Sequence, residues 1–145
     1  MDSEIINDLK SKFPKLFIKE ITTNDLKFEP EVDEGSVEYK RTLANCTKNK
    51  IEKYASQMIW RINENFHKQC ATYFIGVDDN GAIIGLSNDD IIACVTCFVS
   101  ITKSIEASIS AIHIIHVKEL SIIKIGVRIK KLNTNFLVEF DESAV

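Results

Sequence analysis

The 145-residue sequence predicts an α+β protein, with two main helices laid over one face of a mixed β-sheet. Three observations predict it. Tyr73, Ile75 and Val77 alternate with Phe74, Gly76 and Asp78, and Ile123, Ile125, Val127 and Ile129 alternate with Lys124, Gly126, Arg128 and Lys130. A period of two is the signature of a strand with one buried face. Ile51, Ala55, Met58, Ile59, Ile62 and Phe66 recur at three-and-four spacing, the buried stripe of an amphipathic helix. Asp79-Asn80-Gly81 lies between two apolar runs, and Asn-Gly suits a two-residue hairpin turn with positive φ at both positions.

In order, the chain opens with a short amphipathic helix carrying Ile5, Ile6 and Leu9, broken near Pro14 and followed by Leu16, Phe17 and Ile18. Leu26–Gly35 reads as an acidic linker entering the domain. Residues 1–35 are therefore set apart as extension and linker, 36–140 as the domain and 141–145 as a tail. Ser36–Leu43 alternates and is the first strand. Thr47 caps a helix running to about Phe66. At about 100° per residue, Trp60 falls opposite the buried stripe, beside Lys53, Ser56, Gln57 and Glu64. Its ring either packs against the acidic N-terminal segment or meets a partner. The hairpin follows, with Ala82–Leu86 returning as a strand. Gly76 and Gly85 stand opposite each other, which marks either a bulge or a close approach. Ser87 caps a second helix over Asn88–Ile105, with Asp90 three residues on. Ala111–Val117, Ile122–Lys131 and Phe136–Phe140 are strands. The element order is β-α-β-β-α-β-β-β.

Apolar content of 45% and charged content of 27% match a globular domain, and the net charge of −3 argues against a polycationic nucleic-acid binder. The charge is uneven. Residues 39–75 hold seven Lys/Arg against two Asp/Glu, and residues 76–110 hold one against five. The first 25 residues lack a signal-peptide core, and no apolar run is long enough for a membrane span. A cytoplasmic protein without membrane contact is expected. Cys46, Cys70, Cys94 and Cys97 lack the spacing of a zinc tetrad and read as buried free thiols of a reducing compartment. His113 and His116, three apart on a strand, face opposite sides and cannot chelate one metal.

Gly76–Gly81 has the glycine spacing of a phosphate loop, but Ala82-Ile83 replaces the required lysine and hydroxyl. Nucleotide binding is rejected there. Neither a Ser/His/Asp nor a Cys/His arrangement follows from the spacings. Asp33, Glu34, Glu38, Asp78 and Asp79 meet if the first strand pairs beside the hairpin, with Lys40 on the same face as Glu38. Clustered carboxylates with a lysine can hold Mg²⁺ or Mn²⁺ for phosphodiester hydrolysis, and they also occur as plain solvated acids.

Two resemblances rest on these residues. Glu34-Gly35-Ser36-Val37-Glu38-Tyr39-Lys40, Gln57-Met58-Ile59-Trp60-Arg61, Ile75–Gly81 and Gly85-Leu86 resemble the N-terminal domain of the elongation-factor-like translational GTPases called GTP-binding proteins 1 and 2. That likeness spans roughly residues 29–140. It implies the leader domain of a longer protein, or a protein that has lost its motor. Such a domain is non-catalytic alone, with GTP and Mg²⁺ expected only for a following GTPase domain. It would contact tRNA, the ribosome, RNA-decay partners or its own GTPase domain. The candidate contacts are Lys53, Gln57, Trp60 and Arg61 on the helix and Lys124, Arg128 and Lys130 on the sheet. Val37–Arg41 and Ile75–Gly85 also resemble the AlbA-like domain of Schlafen-type proteins, some of which bind nucleic acid or cut RNA. That implies Glu38, Asp78 and Lys40 as alternative catalytic residues. The glycine-rich turn usual before that hairpin is replaced by Asn65–Cys70.

Overall fold

The computed structural model describes residues 3–65 and 67–129. Phe66, Lys130, the strand expected at Phe136–Phe140 and the tail lie outside them. The elements are α1 (Glu4–Lys12), β1 (Ile18–Thr23), β2 (Val37–Lys40), α2 (Lys48–Glu64), β3 (Cys70–Ile75), α3 (Asn88–Ser104), β4 (Ala107–Val117) and β5 (Leu120–Ile129). The strands form one mixed sheet in the order β1-β4-β5-β3-β2. The outer pairs β1–β4 and β2–β3 are parallel, and β3–β5 and β4–β5 are antiparallel.

The main core lies between the three helices and one sheet face. Ile5, Ile6 and Leu9 of α1, Ala55, Met58 and Ile62 of α2 and Ile91, Val95, Phe98 and Ile101 of α3 meet Tyr73, Ile75, Ile112, Ile114, Ile123, Ile125 and Val127. The caps are where the sequence puts them: the Thr47 side chain accepts from Lys50 N–H and the Ser87 side chain from Asp90 N–H. Each satisfies one of the donors that a helix start leaves unpaired. The β-branched run of α3 is poor helix material, and it is held by burial of Ile91, Val95 and Ile101. Ile59, counted in the α2 stripe, instead stays 40% exposed.

The α+β class and the mixed sheet are as expected, but the order of elements differs in two places. Ile18–Thr23, set apart with the N-terminal extension, is an edge strand of the sheet, and Ile5, Ile6, Leu9 and Ile18 are core residues. Parallel pairing with β4 is a long-range choice that no local pattern announces. The hairpin is also looser than Asn-Gly implies. Gly81 N–H bonds the Asp78 carbonyl at 2.8 Å, and positive φ occurs at Gly81 but not at Asn80. Only one bridge, Val77↔Ile83, joins the arms, and Ala82–Leu86 forms no strand. The antiparallel partner of β3 is β5 instead. Gly81 is needed for a second reason: a Cβ there would lie 2.3 Å from the Phe28 carbonyl oxygen. The chain before β2 thus runs against the hairpin tip, where Glu31 N–H also bonds the Asp79 carbonyl at 2.7 Å.

That segment has its own small core on the opposite sheet face. Leu26 and Phe28 pack with Phe74 and Ile83 on Tyr39, Val77, Ile115, Val117 and Ile122. The thiol expectation is corrected for two of the four cysteines. Cys46, before α2, and Cys97, in α3, form a disulfide with Cα atoms 5.8 Å apart. Helix packing creates that proximity across 51 residues of sequence. Cys70 and Cys94 are free.

Candidate functional site

Along β2 the residues alternate: Glu38 and Lys40 face the helices, and Tyr39 faces the other side. Three side chains of α2, spaced by three and four, meet the first pair. Lys40 Nζ donates to Gln57 Oε1 at 2.7 Å and sits 4.7 Å from the centre of the Tyr54 ring. Arg61 Nε lies 3.4 Å from Glu38 Oε1, with Arg61 3% and Glu38 5% exposed. Arg61, expected as a partner contact on the helix, is buried instead. The reason is the segment before β2, whose carbonyls at Val32 and Gly35 accept from Arg61 Nη1 at 3.1 and 2.9 Å. A guanidinium keeps its charge when buried and offers donors in a planar fork, so it fits a row of carbonyls better than lysine would.

Glu31 completes the cluster. Its Oε2 accepts from Tyr39 N–H at 2.5 Å, and its Oε1 lies 3.8 Å from Arg61 Nη2. Burial first, and then a hydrogen bond with the Glu38 carboxylate, push the Glu31 pKa up to about 7. A second carboxylate beside the same guanidinium disfavours the charged form of Glu31. Burial also pulls the Lys40 pKa down, against the opposing pull of Glu38 and Glu31. This is a clasp that ties residues 29–35 to the sheet edge.

The acids expected to meet do not assemble. Asp33 and Glu34 offer Arg61 their backbone carbonyls, Asp78 Oδ1 accepts from Asp79 N–H, and Glu38 pairs with Arg61. Among the described residues no group of three His, Cys, Asp or Glu is placed to hold a metal ion. The other predicted contacts divide. Trp60 is 46% exposed, as its helical position implies, and its ring stacks on the Arg61 guanidinium at 4.8 Å. Lys53 is exposed, whereas Gln57 is half-buried on Lys40. Lys124 and Arg128 are exposed on the sheet face away from the helices, and Lys130 lies outside the described residues.

A third polar group escaped sequence reasoning. His116 Nε2 lies 2.5 Å from Glu20 Oε2 and its Nδ1 lies 2.7 Å from Ser121 Oγ. Glu20 Oε1 in turn accepts from Ser3 N–H, the cap of α1. The network ties edge strand β1 to the β4–β5 hairpin. A hydrogen bond with Ser3, helped by the imidazole of His116, holds the Glu20 pKa low against the opposing effect of burial. Its members come from three strands, so no local spacing could have revealed it.

An uncharacterized protein of Acanthamoeba polyphaga mimivirus is 44% identical over 144 residues, which is 98% of this chain and 77% of that protein. GTP-binding protein 2 of Mus musculus and of Homo sapiens are each 32% identical over 83 residues, covering 57% of this chain and 14% of theirs. No family model matches the chain. No solved structure matches it. No described helix is long and apolar enough to cross a membrane.

Proposed function

Because the chain belongs to the family of the mimivirus protein and shares part of its length with GTP-binding protein 2, we propose that it is a docking domain of translational GTP-binding-protein type, without nucleotide chemistry of its own. The observation that carries the reading is the 32% identity to GTP-binding protein 2 over 83 residues. Two features support it. The sequence contains no Gly-x4-Gly-Lys-Ser/Thr loop, and its conspicuous acid, Glu38, neutralises a buried arginine. Trp60 and Lys53 then form a helical contact surface, and Lys124 and Arg128 a sheet surface, for tRNA, ribosomes, RNA-decay factors or a GTPase domain, in the cytoplasm. Arg61 and Gln57 act by holding the helix and the segment before β2 in place. GTP and Mg²⁺ belong to a GTPase domain and not to these residues.

Ribosome co-sedimentation and tRNA binding of the full chain test the reading, beside titration with a fluorescent GTP analogue. The expected result is co-sedimentation or tRNA binding, weakened by Trp60→Ala or Lys53→Glu, with no response to the nucleotide. Saturable GTP binding, or indifference to both ribosomes and tRNA, overturns it.

A further inference from the structure

The sheet face away from the helices is divided. One end carries the small core under Leu26 and Phe28. The other end carries cationic side chains, small residues and the exposed Val37. The register aligns five residues in one row across the strands: Lys19 of β1, His113 of β4, Lys124 of β5, Phe74 of β3 and Tyr39 of β2. At the usual strand spacing, Lys19 and Lys124 are about 10 Å apart with the imidazole between them. Four residues along β5, Arg128 projects from the same face, opposite Ser108. Gly126 lies midway, and the Ser110 hydroxyl takes the place of a side chain there. The β4 strand bulges between Ile109 and Ala111, opposite this glycine, and a Cβ on Gly126 would lie 2.5 Å from Ser110 Oγ. A bulge re-aims one side chain, and here it sets a hydroxyl over a glycine floor between basic residues.

Lys19 and Lys124 repel each other across the imidazole, so an anion seated between them is favoured. Among the described residues no carboxylate lies within ion-pair distance of Lys19, Lys124 or Arg128. Aromatic rings flank the row: Lys19 Nζ sits 5.5 Å from the centre of the Phe17 ring, which is 54% exposed, and Lys124 Nζ sits 5.9 Å from that of Phe74. Cations and hydroxyls track a phosphodiester backbone, and an exposed ring on an open sheet stacks an unpaired base.

We infer that Lys19, His113, Lys124, Arg128 and Ser110 form a binding face for single-stranded nucleic acid, with Phe17 as a base-stacking platform. The inference rests on the docking-domain reading and assigns one surface to it. His113 gives the face a pH response. Burial lowers its pKa, and so do the two charged groups that act on it, Lys124 of β5 and Lys19 of β1. It is therefore neutral at pH 7.5 without ligand. A phosphate seated between the lysines favours the imidazolium, so binding takes up a proton and tightens as pH falls.

The test is fluorescence anisotropy of the full chain with a labelled 12-nucleotide oligouridylate, a matched RNA duplex and polyglutamate. Three to four phosphate contacts give a logarithmic salt slope of about −2 to −3, or about 20- to 50-fold weaker binding from 50 to 200 mM salt. Lys124→Glu and Arg128→Glu each weaken oligouridylate binding about tenfold. Phe17→Ala weakens it less steeply and leaves the salt slope unchanged. His113→Gln keeps the pH 8 affinity and abolishes the gain at pH 6. Equal binding of duplex and single strand, preference for polyglutamate, or indifference to Lys124→Glu and Arg128→Glu overturns the inference. If the wild-type chain co-sediments with ribosomes but fails to bind oligouridylate, the assigned face is wrong and the docking reading stands.

Discussion

The sheet carries charge at two places and treats it in opposite ways. At the β2 edge, Arg61, Glu38, Glu31 and Lys40 are withdrawn from water and find partners inside the chain. On the open half of the other face, Lys19, Lys124 and Arg128 stay in water and find no described carboxylate. Charge that is answered internally holds a fold together. Charge that is left unanswered in a row is available to something else. The two regions should therefore respond differently to mutation, the first in stability and the second in binding.

The largest expected effect lies outside both regions, at the loop that feeds α2. Cys97→Ser opens the bond to Cys46, and chain entropy over 51 residues makes that worth about 4 kcal/mol of unfolding free energy. Urea denaturation with and without reductant measures it. The wild-type chain should lose stability on reduction, and the variant should be insensitive.

Next is the clasp itself. Glu38→Ala leaves the buried guanidinium with only the Glu31 carboxyl, 3.8 Å away, and should cost about 3 kcal/mol. Arg61→Met combined with Glu38→Gln should cost less than the sum of the single changes, because the pair is removed together. If Glu38→Ala unfolds at the wild-type urea midpoint, the clasp holds nothing. By contrast, Lys124→Glu and Arg128→Glu should stay within about 0.5 kcal/mol of wild type, as surface changes do. A large loss there would erase the distinction between the regions.

A gentler probe is pH. The Glu31 pKa is raised to about 7, from an ordinary value of 4.5. Between those values the folded chain keeps a proton that the unfolded chain has released. The contribution is therefore complete below about pH 4.5 and is lost as pH rises through 7. Glu31→Gln should flatten that part of the stability profile. Glu20 runs the other way, because its pKa is lowered: its contribution is present at neutral pH and is lost on acidification. His116→Gln should remove part of that acid-side loss.

A small effect of the opposite sign is expected at Tyr73, whose buried hydroxyl finds no partner among the described residues. It lies beside Glu38 in the sheet register. Tyr73→Phe removes a desolvated polar group and should be neutral, or stabilising by about 1 kcal/mol. A clear loss of stability would show that the hydroxyl is part of the clasp.

Much was legible from the sequence because much of it is local. Helix caps at Thr47 and Ser87, the stripe of α2, the exposure of Trp60 and the alternation of Lys124 and Arg128 against Ile123, Ile125 and Val127 depend on residues within a few positions of one another. Periodicity and capping chemistry report such features directly. The pairing of Arg61 with Glu38 and of His116 with Glu20, the alignment of Lys19, His113 and Lys124, and the Cys46–Cys97 bond were decided only by the tertiary structure. They join residues far apart in the chain, and strand order and register choose those partners through packing of the whole core. The sequence could say that Leu16, Phe17 and Ile18 were apolar and that β5 was basic on one side. It could not say which strand would lie between them, and that is what turns scattered cations into a row.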